Sequence, residues 1–146
     1  MGFFDKIKSG VTGITAEYKK LANKTLMEGT IASCALVINA NGIAKPEEKR
    51  KMLGFIKSNE QLKVYDTDKV INTFNKYFDK FDFDPEIAKG EILQIVAKIK
   101  NPDEAQLLVR VLIAIGAADG DFDANEKNCV RDVIRTLGLM NSDFGL

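Results

Sequence analysis

Histidine and tryptophan are both absent from this chain of 146 residues. The missing histidine matters most, because it removes the commonest general base and the commonest transition-metal ligand. Cysteine is scarce: Cys34 and Cys129 are the only two, too few for a cysteine-rich zinc site. Each stands among apolar neighbours in an expected helix and reads as a buried reduced thiol, with a disulfide or redox pair as the alternative. Neither sign of charge is in excess, with 21 basic and 21 acidic side chains. That balance argues against a dedicated nucleic-acid binder, which needs a basic surplus to contact phosphates. No apolar run approaches the roughly 18–20 residues that span a bilayer. The longest, Leu107–Ala118, is interrupted by Arg110. No signal peptide is visible, and Lys6 stands where N-myristoylation of Gly2 wants Ser or Thr. The chain is therefore expected to be cytosolic. With three prolines and no low-complexity tract, little of it is left over for linkers.

What is present is helical patterning. Phe3, Phe4, Ile7, Val11, Ile14, Tyr18 and Leu21 recur at helical spacing and mark an amphipathic N-terminal helix within residues 1–24. From Met1 to Leu26 five lysines face only Asp5 and Glu17, a net charge of +3; the stretch reads as a helix that packs on its own core with its lysines in water, with contact to a membrane surface or an acidic partner as the alternative. A second helix is expected from Thr25 or Gly29 through Ile38, apolar nearly all round and ended by Asn41-Gly42. Pro46 opens a third, which carries Met52, Leu53, Phe55 and Ile56 inward. Asp66 caps a fourth, with Val70, Phe74, Tyr77, Phe78 and Phe81 on one face. Asp84-Pro85 opens a fifth. Asn101-Pro102, with Glu104 as capping-box partner, opens a sixth that runs to Asp119-Gly120. A last helix from Ala124 ends at Leu137-Gly138. The fold class is all-α, about seven helices with no sheet, in a single domain.

Two segments resemble each other. A shift of 78 residues lays Ala40 on Ala118, Asn41 on Asp119, Gly42 on Gly120, Glu48 on Glu126 and Ile56 on Ile134. The expectation is two pseudo-symmetric helical hairpins, over about residues 26–58 and 104–138.

The second of these turns is the candidate site. Asp119, Asp121, Asp123 and Glu126 put four carboxylates within eight residues. Such oxygen-rich clusters suit hard cations, Ca²⁺, Mg²⁺ or Mn²⁺. It is not an EF-hand, because Ala124 stands where that loop needs Gly and Val130 where it needs Glu. Part of the motif is accounted for by helix structure alone, since Asp123 and Glu126 have the spacing of a capping box. Asp119 is different. At the C-terminal end of its helix a negative charge opposes the macrodipole at a cost of about 0.3–1 kcal/mol. It is met by a salt bridge to Lys127 or Arg131, by solvent at the turn, or by a bound metal.

The whole chain resembles the TerB family of small bacterial tellurite-resistance proteins. The likeness rests on the opening Gly-Phe-Phe-Asp-Lys, the central Leu-Lys-Val-Tyr-Asp-Thr, the Phe-Asp-Phe-Asp at 81–84, the Ala-Asp-Gly-Asp-Phe-Asp turn and the Arg-Thr-Leu-Gly-Leu ending. It implies an all-helical fold of two repeats and a role in resistance to tellurite and related stresses. It also implies partnership with the integral membrane protein TerC and other Ter proteins, and cation chelation by the acidic residues of both repeats. On this sequence the implied ligands are Asp119, Asp121, Asp123 and Glu126, with Glu48 and Asn41 from the first repeat. The first repeat departs from the family's Asp-Gly pattern at Asn41 and carries Lys45 where a small polar cap is usual.

Three readings of function follow. The chain is a non-catalytic, cation-responsive adaptor at the inner face of the cytoplasmic membrane. Or it is a metal-free interaction module that works through its basic N-terminal helix. Or Cys34 and Cys129 handle tellurite as thiols. A conventional enzyme fits worst, since the sequence offers no histidine, no phosphate-cradling glycine loop and no placed nucleophile.

Overall fold

A computed structural model describes residues 16–42, 46–58, 65–117 and 122–146, with side chains from Lys24 onward. These residues form six α-helices and two 3₁₀ turns, with no strand among them. The helices are α1 (Ala16–Ile38), α2 (Pro46–Ser58), α3 (Thr67–Phe83), α4 (Pro85–Val96), α5 (Pro102–Ala117) and α6 (Ala124–Thr136). The 3₁₀ turns are Asn39–Asn41 and Asn141–Phe144.

Helix α1 is the centre of the fold. It packs against each of the other five helices, and every residue from Gly29 to Val37 is buried. A helix enclosed on all sides needs small or apolar residues all round, as Ile31, Ala32, Cys34, Ala35, Leu36 and Val37 provide. Burying each of the larger ones stabilises the fold by about 1.5–3 kcal/mol. The other helices contribute Met52, Val70, Phe74, Ile92, Val96, Leu108, Leu112, Val130 and Ile134 to the same core.

The sequence pattern places a break before Thr25 or Gly29, but the backbone runs unbroken from Ala16 to Ile38. Gly29 is a contact residue, not a helix start. A Cβ there would lie 2.7 Å from Ile99 Cδ1 and 3.6 Å from Leu108 Cδ1, so the missing side chain admits neighbours from outside α1. Close packing and helix punctuation ask for the same residue, and local pattern does not separate them. Six α-helices lie among the described residues, which leave out most of the expected first helix. Phe3–Ile14 of the amphipathic N-terminal stretch lies outside those residues.

The helix starts follow capping chemistry. Asp66 Oδ1 accepts from the N–H groups of Asp68 (2.8 Å) and Lys69 (3.5 Å). Asp84 Oδ1 accepts from Glu86 (2.9 Å) and Ile87 (3.3 Å). Asn101 Oδ1 accepts from Asp103 (2.9 Å) and Glu104 (3.2 Å). Each satisfies donors that the first helical turn cannot. Helix α6 closes on Gly138 at φ 75°, with Leu139 N–H donating to Ile134 O and Gly138 N–H to Arg135 O, both at 3.0 Å. That is the Schellman pattern. Between helices, Tyr77 Oη donates to Glu28 at 2.9 Å, joining α3 to α1, and Lys89 pairs with Asp132 at 2.6 Å, joining α4 to α6.

Candidate functional site

Two turns far apart in sequence meet beside the C-terminal end of α1. There the helix tightens into the 3₁₀ turn Asn39–Asn41, and Asn39 Nδ2 donates back to Ala35 O at 2.8 Å. Gly42 follows at φ 114°, open to glycine and strained for any residue with a Cβ. Asn41 is left exposed at the tip.

The second turn joins α5 to α6. Its Phe122 packs on Gly116 of α5, where a Cβ would lie 2.7 Å from ring Cδ1 and 2.8 Å from Cε1. The Lys127 ammonium sits 5.7 Å from the centroid of the same ring. An aromatic clamp therefore anchors the acidic loop at the point where it enters α6. Asp119 and Asp121 lie outside the described residues.

Asp123 is the N-cap of α6 and forms the expected capping box. Its Oδ1 accepts from Glu126 N–H at 2.9 Å, while Glu126 Oε1 accepts from Asp123 N–H at 3.2 Å. Its other oxygen, Oδ2, accepts from Asn41 Nδ2. The circuit is completed by Asn125 Nδ2, which donates to Asn41 Oδ1 at 2.7 Å. The backbone N–H of Glu126, helped by the Asn41 amide and opposed by partial desolvation, holds the Asp123 carboxyl below its usual range.

Of the residues singled out by sequence, Asn41, Asp123 and Glu126 share this hub. Glu48 is half-buried in the first turn of α2, where the helix dipole favours its charge, and takes no part in the circuit. The 78-residue shift aligns Asn41 with Asp119, yet in space Asn41 bonds Asp123 and Asn125. Sequence reasoning passed over Asn125, Phe122 and Gly116. Their signals were faint: one aromatic among acids, and one glycine in an apolar run. The hub's oxygens are hard donors, suited to Ca²⁺, Mg²⁺ or Mn²⁺ over softer metals. In the described arrangement protein N–H groups satisfy them. Among the described residues, which leave out Asp119 and Asp121, no three acidic or cysteine side chains converge as a cation cage.

Both cysteines are free. Cys34 is wholly buried in α1, and desolvation pushes its thiol far above the ordinary range. Cys129 is half-buried on α6, and its thiol is raised chiefly by desolvation, with Lys89 opposing. Neither is set up as a ready thiolate.

The family profile described as "Tellurite resistance protein TerB" matches residues 27–146. The chain belongs to the TerB family. A relative from Alcaligenes sp., named "Tellurium resistance protein TerB", is 45% identical over 116 residues, covering 76% of this chain and 95% of the relative. No solved structure matches. The TerB match spans the core of the fold from Met27 onward, including both turns of the hub, and begins after the basic stretch. Among the described residues, no helix is long and apolar enough to cross a membrane.

Proposed function

We propose that this TerB-family protein is a non-catalytic adaptor in tellurite resistance. It responds to a divalent cation (Ca²⁺, Mg²⁺ or Mn²⁺) through its acidic turn. It works at the cytoplasmic face of the membrane with other Ter proteins and an integral membrane partner of the TerC kind. The two turns are equivalent parts of two hairpin repeats.

The observation that carries this reading is the bridge from Asn41 to Asp123 and Asn125. A cation drawn to Asp119, Asp121, Asp123 and Glu126 competes with the Asn41 amide for the Asp123 carboxylate. Its arrival at one turn is thereby felt at the other, at the end of the helix that touches every other helix. An element held in two alternative arrangements is what a ligand needs in order to shift a population.

The test is a titration of the isotope-labelled protein with each cation. Amide resonances of residues 118–127 and 39–42 should move together, and Asp119→Asn should weaken the response without lowering the melting temperature. Resonances that stay still with all three ions would remove the cation from the proposal. A Cys34→Ala/Cys129→Ala double variant should retain resistance; loss of resistance would favour the thiol reading instead.

A further inference from the structure

Asn41 is the only asparagine of the chain followed by glycine, and both residues of that pair are exposed at the hub. The pairing has a chemistry of its own, because a peptide nitrogen can attack the side-chain carbonyl carbon of the asparagine before it. A following glycine, with no Cβ, leaves the approach open. Among the described residues nothing lies within 4 Å of a Cβ built on Gly42, its chain neighbours apart. Three hydrogen bonds oppose the attack. Asn41 Nδ2 donates to Asp123 Oδ2, and Asn41 Oδ1 accepts from Asn125 at 2.7 Å, so both ends of the amide are turned across to α6. Gly42 N–H donates to Asn39 O at 3.1 Å and closes the 3₁₀ turn. Ring closure takes the amide out of that orientation and the proton off Gly42 N, so it waits for the hub to open.

We infer that Asn41 is a self-modifying site, whose deamidation converts the bridge between the two turns into a pair of facing carboxylates. Gly42 N loses its proton to solvent and bonds to Asn41 Cγ. The Cγ–Nδ2 bond breaks, and the nitrogen takes up a proton and leaves as ammonia. Water then opens the five-membered imide, giving an aspartate, or an isoaspartate where it adds at the backbone carbonyl. The balance is one water consumed and one ammonia released. The product reverses the electrostatics of the hub. The donor to Asp123 is gone, and a second negative charge faces that carboxylate instead. The new charge also stands at the end of the 3₁₀ turn that continues α1, where the helix dipole opposes it. Deamidation thus uncouples the turns.

The experiment is peptide-resolved mass spectrometry of the full chain, aged in a mildly alkaline chelating buffer so that the result stands apart from the cation reading. Asn41 should gain the mass of an amide-to-carboxylate exchange ahead of every other asparagine. In guanidinium chloride, where the hub is gone, the gain should be at least about tenfold faster, as two lost hydrogen bonds imply. A folded Asp123→Ser/Asn125→Ala variant, which keeps a serine N-cap, should show a similar acceleration. The deamidated form, separated by its extra negative charge, should have displaced amide resonances from Asp123 to Glu126, and Asn41→Asp should reproduce them. An Asn41 that ages no faster than the other asparagines, a rate that neither denaturant nor the variant raises, or aged protein whose resonances match wild type would each overturn the inference.

Discussion

Gly116→Ala tests the clamp that anchors the acidic turn. The substitution has two opposed effects. Alanine is favoured over glycine inside a helix by about 1 kcal/mol, and by less near a helix end. Gly116 lies next to the last residue of α5, so about 0.5 kcal/mol is gained. Against this, the new Cβ would meet the Phe122 ring at 2.7 Å, closer than any real contact. The ring is half-buried and must swing out. That forfeits part of the burial energy of a phenylalanine, about 1–2 kcal/mol. The clash wins, and the variant should be destabilised by about 1 kcal/mol, or about 2–5 °C in melting temperature. Gly90→Ala is the control. Gly90 is exposed within α4 with nothing inside 4 Å of an added Cβ, so the same substitution should stabilise by about 0.5–1 kcal/mol. In a Phe122→Ala background the Gly116→Ala penalty should vanish, giving a coupling of about 1–2 kcal/mol in the double-mutant cycle. Urea denaturation measures all four stabilities. If Gly116→Ala stabilised the wild type as much as Gly90→Ala does, Phe122 would not be packed on Gly116 and the clamp would be refuted.

Three further expectations concern the hub and the thiols. Asn41→Ala removes both bonds between the turns. It should lower the melting temperature by about 1–3 °C and shift the amide resonances of Asp123 to Glu126; unmoved resonances would show that the turns are not coupled. The Asp123 carboxyl titrates below its unfolded value of about 3.9. Its stabilising contribution is therefore complete above about pH 5 and is lost as the pH falls through the depressed value. Asp123→Asn, still a good N-cap, should flatten the acid limb of the urea midpoint against pH between about pH 5 and pH 2; an acid limb as steep as that of wild type would assign it to other carboxylates. In native protein a thiol-specific chromogenic reagent should leave Cys34 untouched and reach Cys129 slowly, at a rate that rises with pH above the ordinary thiol range of about 8.5. In urea both should react at once, and prompt native labelling of Cys34 would contradict its burial.

Much of the fold was legible along the chain, because the chemistry that sets helix boundaries is local. Asp66, Asp84, Asn101 and Asp123 each cap the helix expected of them. Gly138 closes α6 where the Leu-Gly-Leu pattern places its end. A cap depends on a side chain and the N–H groups two or three residues on, so residue type and spacing are enough to find it. The all-round apolar pattern of α1 likewise announces a helix enclosed by others.

What pairs across the chain was decided by packing. Gly29 reads as a helix start until Ile99 is seen against it, and Gly116 reads as a lapse in an apolar run until Phe122 is seen on it. The shift of 78 residues pointed to Asn41 and Asp119, but it could not place Asn41 against Asp123 and Asn125. Those contacts join residues 82 and 84 positions apart. Composition and periodicity state which side chains want burial or a hydrogen bond. Which distant partner satisfies them depends on how the helices pack around α1, and only the tertiary structure carries that information.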